Sequence, residues 1–210
     1  MLTLLTIFAS SFMIALSGAL MPGPVLTVTV SESARRGAIA GPLMIFGHGI
    51  LELLLVLALM AGLAPLLSRD DVFIAVSLVG GAILFWMALT MFKELPGLRL
   101  KLEGSDEKPR NLIAAGILMS LVNPYWLIWW ATIGLGYIMY SFKFGAAGIA
   151  AFFAGHILAD LAWYSLISLG IAKGSRFFSD GAYRKLIAAC AAFLVLFSFY
   201  FFYSGIEKIV

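Results

Sequence analysis

The chain has 210 residues, of which 62% are hydrophobic and 12% charged, with a net charge of +3 and a mean hydropathy of +1.03. Soluble domains are usually about 45–50% apolar, so this composition excludes an ordinary soluble protein and predicts an integral membrane protein. The basic residues are scattered between apolar runs rather than gathered on one face, which argues against a nucleic-acid partner. Cys190 is the only cysteine, which excludes an intrachain disulfide and a thiolate metal site.

Six apolar runs follow one another, each long enough to cross about 30 Å of hydrocarbon. They cover about residues 3–29, 38–62, 72–92, 111–140, 144–172 and 186–206. The first run lacks the basic segment that opens a signal peptide, so it is interpreted as a membrane helix. Polar turns such as ARRG and SRDD separate the runs, and the one long polar segment lies between the third and fourth. The prediction is an all-α integral membrane protein with six transmembrane helices, forming a single membrane transport domain over residues 1–210.

The distribution of Lys and Arg predicts which way these helices point. The connections between runs 1 and 2, 3 and 4, and 5 and 6 together hold eleven of the fourteen basic residues, and the opposite side holds three. Basic residues are retained on the cytoplasmic side of a membrane. We therefore expect a multi-pass protein of the cell (inner or plasma) membrane, with both termini outside and the loop 93–110 in the cytoplasm.

A repeated motif links the second run to the fifth. GHGILELLLV begins at residue 47 and GHILADLAWY begins 108 residues later, at residue 155. Each copy places an acid four residues after a histidine, His48 with Glu52 and His156 with Asp160, and the chain has only two histidines. The two runs are therefore interpreted as equivalent helices.

This equivalence divides the chain into two halves of three helices. Because three is an odd number, the second half must enter the membrane from the opposite side, which makes the repeat inverted. Inverted repeats are typical of secondary transporters, whose binding site lies near the membrane midplane between the halves. The predicted repeats are residues 1–92 and 111–210, joined by the loop 93–110.

Proline interrupts the first run of each half. The interruptions are LMPGPV and LVNPYW, whose residues are Pro22, Gly23, Pro24, Asn123, Pro124 and Tyr125. Proline in a membrane helix can simply kink it. Two prolines around a glycine also leave backbone groups unpaired; free amides at the start of a half-helix favour a carboxylate, and free carbonyls favour an ammonium or a cation. We predict that helices 1 and 4 are broken at these motifs and that the breaks border a substrate cavity.

The histidines and acids of the repeat have three interpretations. Residues four apart share a helix face, so each histidine can pair with its own acid. Such pairs can join helices at about 0.6 to 2 kcal/mol per hydrogen bond, but a charged side chain near the bilayer centre costs about 2.5–3.5 kcal/mol, and Ser, Asn or Gln would serve with less desolvation. Groups that change charge instead favour a proton relay. Two imidazoles and two carboxylates also suit Zn²⁺ or a similar divalent ion.

An aromatic cluster, YWLIWW, starts directly after the proline of the fourth run. It contains Tyr125, Trp126, Trp129 and Trp130. Trp and Tyr usually form a belt at the membrane interface, which is the simpler interpretation. The position of the cluster well inside the run also allows some of these side chains to line or gate the cavity.

These motifs resemble those of a known transporter family. LSGALMPGPVLTVTVSESARRGAIAG, followed by a glycine-rich second helix, resembles the start of the lysine exporter (LysE/RhtB) family of amino-acid efflux translocators. LVNPYWLIWW resembles the Asn-Pro motif in the fourth helix of that family, and the length, six spans and long middle loop also match. The family's motif positions on this chain are Pro22, Gly23, Pro24, Asn123 and Pro124. Many members have Lys where this chain has Tyr125, and the paired Gly-His-acid motifs are not universal, which leaves the substrate open.

The resemblance implies a secondary active exporter of amino acids or related small metabolites, driven by proton exchange, that is not an enzyme and needs no cofactor. In this interpretation His48, Glu52, His156 and Asp160 handle protons or the ammonium group of the substrate during alternating access. The alternative is a divalent metal-cation exporter of the same superfamily, with the same four residues as ligands. The expected partners are the substrate, protons and the lipid bilayer, with homo-oligomerisation left open.

Overall fold

The computed structural model of the chain describes residues 2–67, 69–97, 111–174 and 179–209. Within these ranges the chain forms helices and no β-strand. The α-helices are α1 Leu2–Ala19, α2 Pro24–Arg36, α3 Ala40–Ala58, α4 Ala64–Leu67, α5 Asp70–Glu94, α6 Leu112–Leu121, α7 Pro124–Trp129, α8 Leu135–Phe142, α9 Gly145–Gly174 and α10 Asp180–Glu207. Shorter helical turns join or extend some of them: the 3₁₀ turns Gly37–Ile39 and Leu95–Gly97, and the π-helical turns Leu59–Leu63 and Trp130–Gly134.

Five helical segments of the described chain are long and apolar enough to cross a membrane, and there are six if α6 and the α7–α8 segment form one bent span. The segments are Leu2–Ala19, Pro24–Leu63, Asp70–Gly97, Gly145–Gly174 and Asp180–Glu207, and the pair Leu112–Leu121 and Pro124–Phe142, which is bent by 65°. Large apolar side chains are exposed along each of them, which suits contact with lipid. The prediction of an all-helical membrane protein is confirmed at this level.

The first predicted run, residues 3–29, is not one helix. α1 ends at Ala19, and a separate helix begins at Pro24 and continues to Arg36. Pro22 and Pro24 have no backbone N–H, so α1 cannot continue through them, whereas proline is well suited to the first turn of a new helix. The segment ARRG, predicted as a turn, is therefore largely the last turn of α2.

The end of α2 is set by local chemistry. Arg35 and Arg36 lie in its last turn, where basic side chains face the negative end of the helix dipole. Gly37 follows with a φ of 79°, in the left-handed region that favours glycine. The short turn that begins there leads directly into α3.

Three helix pairs make the main contacts of the described chain. α5 packs along α10, α1 packs along α9, and α6 packs along α3, while α3 and α9 also contact each other. α3 and α9, the helices that carry the repeated motif, are thus central.

Two of these interfaces use a glycine for close approach of the backbones. On α3, a Cβ at Gly47 would collide with the carbonyl of Ile113 on α6. On α9, a Cβ at Gly155 would collide with the carbonyl of Phe8 on α1. Because a glycine has no Cβ, the paired helices lie closer than larger residues would permit.

A second contact follows each glycine contact in the same register. Gly116 of α6 packs against the carbonyl of Met44 of α3, and Ser11 of α1 donates a hydrogen bond of 2.7 Å to the carbonyl of Phe152 of α9. For the glycine contacts and for these second contacts alike, the residue on α9 is numbered 108 higher than its counterpart on α3. The residue on α6 is likewise numbered 105 higher than its counterpart on α1. The α3–α6 and α9–α1 interfaces are therefore built alike.

Candidate substrate and cation site

The two copies of the repeated motif meet where α3 and α9 contact each other. His48 and Glu52 lie one turn apart on α3, His156 and Asp160 lie one turn apart on α9, and all four side chains are buried. One nitrogen or oxygen atom of each residue lies within 4.8 Å of those of the other three. The structure brings together the four residues predicted to handle protons or substrate, and we call them the central cluster.

Glu52 lies at the middle of the central cluster. Its Oε1 is 3.0 Å from His48 Nε2, and its Oε2 is 3.0 Å from His156 Nε2. Asp160 Oδ2 is farther from both imidazoles, at 3.6 Å from His48 Nε2 and 3.5 Å from His156 Nε2. His156 is thus closer to the acid of the other helix than to its own, and the two pairs predicted within each helix form one cluster.

Two indole groups complete the surroundings of Glu52. Trp126 and Trp130 each donate a hydrogen bond from Nε1 to Glu52 Oε1, at 3.0 and 2.9 Å. Trp126, Trp129 and Trp130 are all buried, so the interface-belt interpretation of this aromatic cluster is wrong for these three residues. A sequence signal for the shared role existed, because residues 126 and 130 are four apart and therefore face the same side of a helix.

The Nδ1 atoms of the two histidines, which are the outer nitrogens because Nε2 faces the carboxylates, have different surroundings. His48 Nδ1 lies 2.6 Å from the hydroxyl of Ser120 on α6. His156 Nδ1 is buried with no hydrogen-bond partner among the described residues, and its ring packs against Trp129 and Trp130, with centroid distances of 4.9 and 5.2 Å. The contribution of Ser120 was not predicted, because no motif in the sequence relates it to His48.

A cavity of about 60 Å³ lies beside the central cluster. The four cluster residues line it together with Gly23, Asn123 and Tyr125, three of the residues at the predicted helix breaks. Trp126 and Trp129 line it as well. The cavity is therefore bordered by both the repeated motif and both proline motifs.

The prolines themselves lie to the side of this cavity. Pro22 and Pro24 border a neighbouring space of about 10 Å³, and Pro124 packs against Gly80 of α5. The role of the prolines at the site is thus to begin helices: Pro24 is the first residue of α2, and Pro124 is the first residue of α7.

The two helix starts at the cavity differ in their capping. The side-chain oxygen of Asn123 accepts a hydrogen bond of 3.1 Å from the backbone N–H of Tyr125, which caps α7. Gly23 precedes α2 and offers no side-chain cap. Asn123 therefore serves the structure of its own half-helix, while the amides at the start of α2 have no side-chain partner from the residue before them.

The two buried carboxylates of the central cluster require positive charge nearby to compensate them. With both imidazoles neutral, Glu52 and Asp160 would bury two negative charges, and an uncompensated buried charge costs several kcal/mol. Two protons on the imidazoles, or one divalent cation between the four side chains, would neutralise the cluster. The arrangement is suited to hold cations with a total charge of two.

The chain was compared with known protein families and proteins. The family model of the LysE type translocators matches residues 16–205, a range that includes all four residues of the central cluster. The chain belongs to the LysE type translocator family. The chemotactic transduction protein ChpE of Pseudomonas aeruginosa is 30% identical over 166 residues, which cover 76% of this chain and 79% of ChpE. No solved structure matches the chain.

Membership in the LysE family confirms the resemblance drawn from the PGP and NP motifs. Together with the apolar helices, it identifies the chain as a multi-pass membrane protein with a transport function. LysE proteins are transporters rather than enzymes, which agrees with the prediction made from the sequence.

Proposed function

We propose that this LysE translocator is a secondary active exporter of amino acids or related small metabolites, coupled to protons and working by alternating access. The observation that carries the proposal is the central cluster: two imidazoles and two carboxylates, buried where two helices of a membrane transport protein meet. Buried ionisable residues within membrane helices are characteristic of proton relays and substrate pathways.

The proposed architecture is six spans in two inverted repeats, residues 1–92 and 111–210. Three observations support it: the motif copies face each other, the α3–α6 and α9–α1 interfaces share one register, and a helix begins at a proline in each half. In this arrangement α1 with α2, and α6 with α7–α8, are the broken first and fourth spans. The central cluster then lies at the interface between the repeats, as in other inverted-repeat transporters.

The orientation proposed from the basic residues is that both termini lie outside and the loop 93–110 lies in the cytoplasm of a cell (inner or plasma) membrane. Residues 98–110 and Arg176, which contribute to the count of basic residues, lie outside the described residues. Of the basic residues in that count, the structure places Arg35 and Arg36 in the last turn of α2 and Lys173 in the last turn of α9.

In the proposed mechanism the two acids have different tasks. Glu52 lies near both imidazoles and accepts from both indoles, so its charge is well compensated. Asp160 Oδ2 lies farther from both imidazoles, at 3.5 and 3.6 Å, and the two indole groups donate to Glu52 instead. Asp160 is therefore the better acceptor for the ammonium group of a substrate, or for a proton when substrate is absent.

The substrate carboxylate has a complementary partner on the other side of the cavity. The start of α2 at Gly23 has no side-chain cap and lies at the positive end of a helix dipole, which favours an anion. An amino acid bound between this helix start and Asp160 would have both its charges matched. A space of about 60 Å³ holds only a few water molecules, so substrate entry requires the repeats to move apart, as alternating access provides.

A second candidate is a divalent cation exporter, and one observation favours it. The distances between imidazole nitrogens and carboxylate oxygens in the central cluster run from 3.0 to 3.6 Å. Four ligands about 2.0–2.2 Å from a tetrahedral Zn²⁺ would lie roughly 3.3–3.6 Å apart. In this function Zn²⁺ is the cargo, and His48, Glu52, His156 and Asp160 are its ligands.

Counterflow with the purified protein in liposomes tests both candidates. Liposomes are loaded with single unlabelled amino acids, Zn²⁺ or Cd²⁺, and uptake of the labelled species is measured with and without a pH gradient. Exchange of an amino acid that depends on the pH gradient, and that is lost in Asp160→Asn but kept in the exposed-acid control Glu207→Gln, is the expected result. Exchange of Zn²⁺ or Cd²⁺ with no amino-acid response would decide for the second candidate, and pH-independent amino-acid exchange would remove the proton from the mechanism.

A further inference from the structure

The two histidines of the central cluster differ in what holds their outer nitrogens. Ser120 Oγ donates a hydrogen bond of 2.7 Å to the carbonyl of Gly116. A hydroxyl has one hydrogen to donate, so towards His48, 2.6 Å away, Ser120 acts as an acceptor. With the bond from Ser120 to Gly116 in place, His48 Nδ1 carries a hydrogen and donates it to Ser120.

This hydrogen bond determines what His48 presents to the cluster. An imidazole that is neutral and protonated on Nδ1 has its lone pair on Nε2. Nε2 of His48 lies 3.0 Å from Glu52 and 3.6 Å from Asp160. The lone pair therefore points at two acceptors, an arrangement that is favourable only when a cation lies on or beside Nε2.

The matching residue in the other half of the chain has no hydroxyl. The shared register of the α3–α6 and α9–α1 interfaces pairs each α6 residue with the α1 residue 105 positions earlier, which places Ala15 where the other half has Ser120. Ala15 is buried and lines the same cavity. An alanine side chain accepts no hydrogen bond, which explains why His156 Nδ1 has no partner among the described residues.

We propose that Ser120 is a positioning residue that fixes His48 as a permanent cation acceptor, and that Ala15 leaves Nδ1 of His156 unconstrained. The contact of its Nε2 with Glu52 is then the polar contact that sets the tautomer and orientation of His156. The two halves of the central cluster thus contribute the same kinds of residue, one histidine and one acid each, but their histidines have different roles. His48 keeps Nε2 directed at the two carboxylates as the atom that takes up a proton or another cation, and His156 is the histidine that exchanges partners during the transport cycle. This role in transport rests on the proposed function, whereas the fixed tautomer of His48 does not.

Nitrogen NMR of the histidine rings in lipid bilayers tests the proposal directly. The chain has only two histidines, so ¹⁵N-histidine labelling gives four ring signals, which His156→Gln assigns to the two residues. In the wild-type protein we expect His48 Nδ1 to be protonated at every pH at which the protein is folded, and Nε2 to be the nitrogen that gains or loses its hydrogen. A His48 with hydrogen on Nε2 and none on Nδ1 would overturn the proposal.

Variants at the two matched positions sharpen this test. Ser120→Ala is expected to change the tautomer ratio of His48 by about tenfold, as the loss of one buried hydrogen bond implies, while Ser120→Thr retains the hydroxyl and the wild-type spectrum. Ala15→Ser is expected to give His156 the Nδ1-protonated form. Ser77→Ala, in a buried serine of α5, is the control and leaves both histidines unchanged. An unchanged His48 in Ser120→Ala, or a shifted His48 in Ser77→Ala, would refute the positioning role.

The outcome also separates this inference from the proposed function. The NMR signals do not depend on transport, so a fixed His48 tautomer together with no amino-acid exchange would leave the inference standing and the proposed substrate wrong. Amino-acid exchange with an unfixed His48 would give the reverse result.

Discussion

His48 and His156 occupy the same position in the repeated motif, and each has Nε2 at 3.0 Å from Glu52, yet their Nδ1 atoms have different surroundings. His48 has a hydroxyl partner on α6 at 2.6 Å, whereas His156 lies against the rings of Trp129 and Trp130. A hydrogen bond fixes the direction of a ring nitrogen, while aromatic contacts leave it less determined. Two copies of a motif therefore need not form two equal groups, because the helix packed behind each copy decides which contacts its histidine makes.

The two acids of the central cluster also differ in their contacts, although they occupy the same position in the repeated motif. Glu52 has two imidazoles at 3.0 Å and two indole donors, and Asp160 has imidazoles only at 3.5 and 3.6 Å. Matched substitutions in the two halves therefore test whether the two acids, and the helix interfaces beside them, differ as these contacts indicate.

The largest effect is expected from Glu52→Gln. Gln keeps the shape of the side chain but removes the charge that both imidazoles and both indoles face, and loss of one partner from a buried ionic cluster costs about 3–5 kcal/mol. We expect a clearly lower free energy of unfolding in detergent, together with loss of pH-dependent transport. Asp160→Asn should also lose pH-dependent transport, with less than about half of that destabilisation because its contacts are longer.

The exposed Glu207 at the end of α10 provides the control. Glu207→Gln should match the wild-type protein in both measurements. A larger loss of stability in Asp160→Asn than in Glu52→Gln would contradict the central position assigned to Glu52.

An intermediate effect, equal in the two halves, is expected from Gly47→Ala and Gly155→Ala. In each variant the new methyl group meets a backbone carbonyl of the paired helix, and such overpacking usually costs about 1–3 kcal/mol. Gly170→Ala, where a Cβ meets no atom within 4 Å, is the matched control on α9 and should be neutral or slightly stabilising. If thermal unfolding shows that only one of the two buried glycines tolerates alanine, the shared register of the two interfaces is wrong.

The smallest effect is expected at an ion pair outside the central cluster. Lys208 Nζ and Asp70 Oδ1 lie 2.6 Å apart, but both side chains are at least half exposed. Exposed pairs contribute about 0–1 kcal/mol and are screened by salt. Asp70→Asn should therefore change the unfolding temperature only slightly and transport not at all, and a loss comparable to that in Glu52→Gln would show that this link between α5 and α10 is part of the transport machinery.

The sequence predicts the membrane class, the candidate spans and the four cluster residues because each depends on a pattern that the chain carries locally. Long apolar runs identify spans, and the rarity of His in them makes the repeat at His48 and His156 visible. The same reasoning missed the extent of α2, since the basic residues Arg35 and Arg36 were interpreted as a turn between helices, although they also suit the last turn of a helix.

The cross-helix contacts could not be predicted in the same way. The candidate spans are apolar on most faces, so periodicity does not show which face turns inward or which register two helices adopt. Ser120 beside His48, and Trp126 and Trp130 beside Glu52, depend on that rotation and register. The sequence distinguishes alanine at position 15 from serine at position 120, but only the packing shows that the hydroxyl of Ser120 lies against His48.

Because indole groups donate to Glu52, intrinsic tryptophan fluorescence can report on the central cluster. The chain has five tryptophans, and the two that do not belong to the YWLIWW segment are Trp86 and Trp163. With those two replaced by Phe, the remaining tryptophan fluorescence would come only from Trp126, Trp129 and Trp130, all buried beside Glu52 or His156. Binding of a proton, an ammonium group or a metal ion at Glu52 would then be followed as a change in tryptophan emission, without any added label.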